Sequence, residues 1–147
     1  MKQSFLLLFC LSLFLISCSK KQEGTPRVLL FSKTADFVHE SIPEGIAAIQ
    51  KLGAENGFSV DTSSNPAVIT AGNLNKYHAI ILSNTNNETF DTEAQKLAFQ
   101  RYIQAGGGMV AIHSASGSER QWPWFWRTLG GKFKRHPALQ KFEIQVI

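Results

Sequence analysis

Two short runs constrain this chain more than any other feature. Val28-Leu-Leu-Phe31 and Met109-Val-Ala-Ile112 are apolar at every position. A strand with one wet face alternates apolar and polar residues. A run without alternation fits a strand covered on both faces, as in a parallel sheet. Parallel strands need crossover connections, most often helices.

The intervening sequence supplies them. After the first strand (Arg27–Ser32), Ser41-Ile-Pro-Glu44 has the S-x-x-E form of a capping box, with Pro43 in the first turn, where a missing N–H costs little. Ile46, Ile49 and Leu52 continue that helix, and Gly57 can stop it. Phe58–Thr62 reads as a second strand. Residues 63–76, broken by Pro66 and Gly72, form a weakly patterned crossover. Tyr77–Ser83 reads as a third strand. Asp91 or Thr92 caps a second helix anchored by Leu97, Phe99 and Ile103, and Gly106–Gly108 end it. Met109–Ile112, wholly apolar, is expected at the centre of the sheet. Phe142, Ile144 and Val146 alternate with polar residues and suggest a half-buried fifth strand. Strands alternating with helices predict a doubly wound α/β sheet, whose ligands bind beyond the carboxyl ends of the strands.

The chain before Arg27 is of a different kind. Lys2 precedes an apolar stretch from Phe5 to Ile16, interrupted only by Ser12. That is short of the roughly 20 residues of a spanning helix and fits the core of a secretory signal. Leu15-Ile16-Ser17-Cys18 resembles a bacterial lipobox, in which a thiolate takes up the lipid. The expectation is a signal peptide over 1–17, lipidation of Cys18, a polar tether over 18–26 and a single domain over 27–147. The product would be exported and lipid-anchored to the cell membrane or outer membrane. Cys10 would leave with the signal, so the mature chain would hold one Cys and no internal disulfide.

The net charge of +4 overstates the basic character of the domain. With Lys2, Lys20, Lys21 and Glu23 outside it, 12 basic and 10 acidic groups are left. That balance argues against a nucleic-acid partner. One basic cluster stands out: Lys132, Lys134 and Arg135. It reads either as a solvated turn or as a contact for an anionic ligand.

Three polar loops follow the strands: 32–40, 84–88 and 113–119. Between them they hold His39 and His113, with Glu40 and Asn84 as candidate substrate contacts. His113 directly follows a buried strand and is flanked by small residues. Its imidazole could be a general base, a hydrogen-bond donor, a metal ligand or a tie between loops. Ser114 is a candidate nucleophile, but Ile112-His-Ser-Ala-Ser116 lacks the glycines of a G-x-S-x-G elbow. His39, His113 and His136 come from three loops and could together hold zinc or another divalent ion, although no paired-ligand spacing marks them. His78 starts the third strand at the opposite edge and reads as structural. In Trp122-Pro-Trp-Phe-Trp126 the indoles either pack a helix on the sheet or, at Trp122 and Trp124, stack on a sugar.

Together these pieces resemble the ThuA-like (trehalose utilisation) family. The matching segments are Phe37-Val-His39-Glu-Ser-Ile42, the Asn/Thr-rich loop after the third strand, Gly107-Gly-Met-Val-Ala-Ile-His113-Ser-Ala115, and Trp122-Pro-Trp124 continuing to Gly130-Gly-Lys-Phe-Lys-Arg-His136-Pro137. The resemblance implies a flavodoxin-like three-layer α/β sandwich of the class I glutamine amidotransferase-like superfamily. It also implies a role in using carbohydrates of the trehalose or keto-sugar type, with a small sugar as ligand. In amidotransferases a catalytic Cys occupies the sharp turn after a central strand. Here that turn holds His113, so glutamine hydrolysis through a thiolate is not expected. Family domains extend further than this sequence, and Ile147 falls within an expected strand, so the domain is expected to be partial. The alternatives are a non-catalytic extracytoplasmic carbohydrate-binding module, or a truncated product without function.

Overall fold

A computed structural model describes residues 24–146. The expected signal peptide, Cys18 and most of the tether lie outside the described residues. Four strands form one all-parallel sheet: β1 (Arg27–Phe31), β2 (Ser59–Ser63), β3 (Ala79–Ser83) and β4 (Gly108–Ile112), in the order β2-β1-β3-β4. The helices are α1 (Ile42–Asn56), the single turn α2 (Ala71–Leu74), α3 (Glu93–Gln104) and α4 (Pro123–Leu129).

Strand periodicity divides the core in two. Leu29, Phe31, Ile80 and Leu82 face one side, where Phe99 and Tyr102 of α3 and Phe125 of α4 are buried against them. Val28, Leu30 and Ile81 face the other, covered by Ile46 and Ile49 of α1. The result is helix, sheet, helix: the flavodoxin-like arrangement, with its strand order reversing between β1 and β3.

Local details depart from the sequence reading. Ser41 does not cap α1 through its side chain; its backbone is already helical (φ −76, ψ 0). His39 O accepts from Ile42 N at 3.2 Å, so the helix is entered through a turn rather than a capping box. At the other end Gly57 takes the left-handed conformation (φ 71) that stops the helix. Thr92, not Asp91, caps α3 by accepting from Gln95 N at 3.2 Å. Asp91 pairs instead with Lys33. Leu52 and Leu97 are exposed, and Tyr102 takes the anchoring place expected of Leu97.

Two strand expectations are corrected. β4 is not central among the described residues: it pairs with β3 alone, and Val110 is 48% exposed. No residue of β4 is fully buried, so its unbroken apolar run implied more cover than the described residues supply. The fifth strand does not form. Residues 137–146 adopt no strand, and Phe142, Ile144 and Val146 are exposed. Alternation supplies a face for burial, but a strand also needs a partner for its backbone groups. No described helix is long and apolar enough to cross a membrane.

Candidate functional site

The carboxyl ends of β1, β3 and β4 converge on a cleft of about 640 Å³. Its wall includes Phe37 and His39 from the β1 loop, Asn86 and Asn87 from the β3 loop, and His113, Ser114, Ser116 and Gly117 after β4. Arg120, Phe133 and His136 complete it.

His113 is placed by backbone geometry. β4 ends at Ile112, and His113 turns sharply with φ 56. Non-glycine residues seldom adopt that conformation, and strain of this kind concentrates at functional turns. The ring is fixed from two sides. Asn84 Oδ1 lies 2.8 Å from His113 Nδ1. The His39 ring meets the His113 ring edge to face, with centroids 4.5 Å apart. Asn84 is buried and also left-handed (φ 54), and its N–H donates to Ile112 O at 3.2 Å. A carboxamide oxygen can only accept, so with Asn84 in this orientation the neutral His113 ring carries its proton on Nδ1 and its lone pair on Nε2. His113 is therefore set to accept a proton or a hydroxyl hydrogen bond at that nitrogen.

The β3 loop acts as a clasp. Asn86 Oδ1 accepts from Ala35 N at 3.0 Å, and its Nδ2 donates to Phe37 O at 2.7 Å. Asn87 Nδ2 donates to Ala35 O at 2.7 Å and to Asp36 Oδ2 at 2.9 Å. On the other side Asn87 N donates to Gly117 O at 3.1 Å, and Glu119 N to Asn87 O at 2.8 Å. Both residues thus hold the loop carrying His39, and Asn87 joins it to the loop carrying His113. Behind the clasp, buried Glu119 accepts from Phe90 N at 2.9 Å and faces Lys96 at 3.4 Å. The Lys96 ammonium is pushed above its usual pKa, first by its hydrogen bond to Glu93 and further by Glu119.

Ser114 lines the cleft, and its Oγ is buried with no hydrogen-bond partner among the described residues. Such an orphan suits an incoming ligand oxygen better than a packed core.

Other sequence candidates fall elsewhere. Trp122 and Trp124 are not in the cleft wall. Their rings lie 5.0 Å apart within an aromatic cluster that includes Phe90, Phe99 and Phe125, where they pack α4 against the core. Of the wall aromatics Phe37 is exposed, with its ring 4.8 Å from His39, and Phe133 is half-buried, with its ring 4.9 Å from His136. Glu40 is exposed outside the wall. His78 sits at the amino edge, where Nδ1 accepts from Arg27 N at 3.2 Å.

The three histidines proposed as metal ligands each have other neighbours in this arrangement. His39 and His113 meet edge to face, His113 Nδ1 is taken by Asn84, and His136 packs on Phe133. Among the described residues no three His, Cys, Asp or Glu side chains are grouped to hold a metal ion. Phe37, Asn86, Asn87, Ser116, Gly117, Phe133 and Arg120 line the wall without having been singled out as site residues, and Arg120 alone of them brings a charge. It lies seven positions after His113, and no spacing rule marks it.

The family model for ThuA, trehalose utilisation, matches residues 27–147. The chain belongs to the ThuA family. A ThuA-like protein from Bacteroides uniformis has a similar structure, with a TM-score of 0.58 and 27% identity over 72% of this chain and 44% of that one. A ThuA-like protein from Parabacteroides merdae has a TM-score of 0.57 and 23% identity over 71% of this chain and 38% of that one. The ThuA chain described here thus spans less than half the length of either structure. No curated protein matches it significantly.

Proposed function

We propose that this ThuA domain takes a small sugar or keto-sugar derivative into the cleft and handles its hydroxyl or carbonyl protons through His113. The observation that carries this reading is the His113 turn: a strained residue whose Nδ1 is held by Asn84, leaving Nε2 as the acceptor. Phe37 supplies an exposed apolar face of the kind that packs on a sugar ring. Ser114 Oγ offers an unpartnered hydroxyl in the same wall.

Two reaction types have little support in this wall. No carboxylate is among its described residues, so the paired acids of ordinary glycoside hydrolysis are not there. Nor does any Cys occur between residues 19 and 147, which argues against thiolate amidotransferase chemistry. Proton transfer by an imidazole is the chemistry the wall can offer. We also propose that the chain is exported and lipidated at Cys18, a reading supported by the apolar stretch Phe5–Ile16 and Ser17-Cys18.

The test is a calorimetric and turnover screen of trehalose, glucose and 3-keto-glucose against the wild type and His113→Gln. Binding or turnover lost in a folded His113→Gln variant is the expected result. Binding that survives in that variant, without turnover in the wild type, would favour a non-catalytic carbohydrate-binding module. Absence of any sugar binding by the wild type would overturn both readings.

A further inference from the structure

The cleft wall holds one guanidinium and, among the described residues, no acid to match it. Arg120 Nε donates to Gly117 O at 3.0 Å, and the guanidinium carbon lies 5.4 Å from the centre of the Phe133 ring. These contacts fix the plane of the group and occupy Nε, while the two terminal nitrogens are not used by either. The ion pairs of the described residues engage Arg27, Lys33, Lys51 and Lys96, and none engages Arg120. A half-buried guanidinium laid on a phenyl face without a counter-ion is a donor fork suited to a planar oxyanion.

The basic turn seen in the sequence bears on the same place. Phe133 N donates to Ser116 O at 2.8 Å, drawing the segment Lys132-Phe-Lys-Arg-His136 onto the rim of the cleft. Phe133 and His136 enter the wall, while Lys132, Lys134 and Arg135 are exposed around it. The field at the entrance therefore favours a negative ligand. Asp36, close by in the β1 loop, directs its carboxylate to Asn87 Nδ2 at 2.9 Å.

We propose that the ligand is a monoanionic sugar acid, with its carboxylate on the terminal nitrogens of Arg120 and its hydroxyl-bearing ring toward His39 and His113. The assignment rests on the carbohydrate reading above and adds the charge. One guanidinium balances one negative charge, and its fork matches a carboxylate.

The experiment is calorimetric titration of the full chain with glucuronate, glucose, glucose 6-phosphate and acetate. Glucuronate is expected to bind roughly ten- to 100-fold more tightly than glucose, the range of a charge-assisted hydrogen bond. Arg120→Gln should bring glucuronate to the level of glucose while the variant still unfolds cooperatively. Should that variant fold poorly, salt gives a readout without mutation: raising it should weaken glucuronate and leave glucose alone. Equal affinity for glucose and glucuronate overturns the inference and leaves the proposed function standing. Preference for glucose 6-phosphate overturns the monoanion. Acetate binding through Arg120, with no gain from any sugar, overturns the sugar half together with the proposed function. Failure of all four ligands to bind overturns the inference entirely.

Discussion

Replacing Asn84 by Ala tests the geometry on which the His113 reading depends. The Asn84 side chain is buried, and its oxygen lies 2.8 Å from His113 Nδ1. A net hydrogen bond of about 1–1.5 kcal/mol biases the two imidazole tautomers by roughly five- to twelvefold. Losing it should let the neutral ring redistribute by about that factor. Stability should fall as well, because position 84 has φ 54, where Ala is strained and Asn is tolerated. About 1 kcal/mol of strain plus about 1 kcal/mol for the lost bond gives a loss near 2 kcal/mol. For a domain of this size that lowers the melting midpoint by several degrees. The assay is a two-bond proton–nitrogen correlation spectrum of the histidines, recorded where imidazole is neutral. Wild-type His113 should appear as the Nδ1–H form and Asn84→Ala as a mixture. A wild-type ring protonated at Nε2, or a tautomer indifferent to Asn84→Ala, would refute the reasoning.

Three further outcomes follow from other parts of the molecule. A Cβ at Gly107 would stand 2.3 Å from the Tyr102 ring, so Gly107→Ala should cost roughly 1–3 kcal/mol in chemical denaturation; an unchanged midpoint would mean the ring has room. Burial pushes the Tyr102 phenol up to about 12 from 10.0. Below pH 10.0 both folded and unfolded states keep that proton, so the contribution is whole. As pH rises toward the folded value the unfolded state ionises first, and about 2–3 kcal/mol is lost. Tyr102→Phe should flatten the alkaline limb of the stability curve accordingly, and an unaltered limb would contradict the burial. Cys18→Ala should abolish labelling of the cellular protein by an alkyne fatty acid; labelling that persists would remove the lipobox reading.

The sheet was largely legible in the sequence because burial on both faces leaves an unbroken apolar run, as in Leu29–Phe31 and Ile80–Leu82. Helix ends were read less well. The Ser41 pattern matched a capping box, yet the turn closed by His39 O had already set the backbone there. The crossover 63–76 looked weakly patterned but supplies Ile69 and Leu74 to the core, with Thr70 capping a single helical turn. Four residues are too few to show a helical period. His113 and His39 stood out because the strand-end rule says where to look. Their edge-to-face contact, the Asn84 partner and the Arg120–Phe133 stack arise from tertiary closure across three loops. Spacing along the chain does not encode such contacts. The tryptophans stayed ambiguous for a related reason: an indole that seals a core and one that offers itself to a sugar look alike in sequence.

The Asn86–Asn87 clasp has a consequence for how this site can change. Apart from Asp36, its bonds end on main-chain atoms of Ala35, Phe37, Gly117 and Glu119. Main-chain atoms are the same whatever side chain a position bears. Phe37 can therefore be exchanged for another residue while its loop keeps the same path beside His113. Ligand preference and loop architecture are written into different atoms, so a new specificity can be explored at Phe37 without rebuilding the floor beneath it. A change at Asn86 or Asn87, by contrast, strips side-chain bonds from the β1 loop alone, because Asn87 holds the His113 loop through its own main-chain N and O.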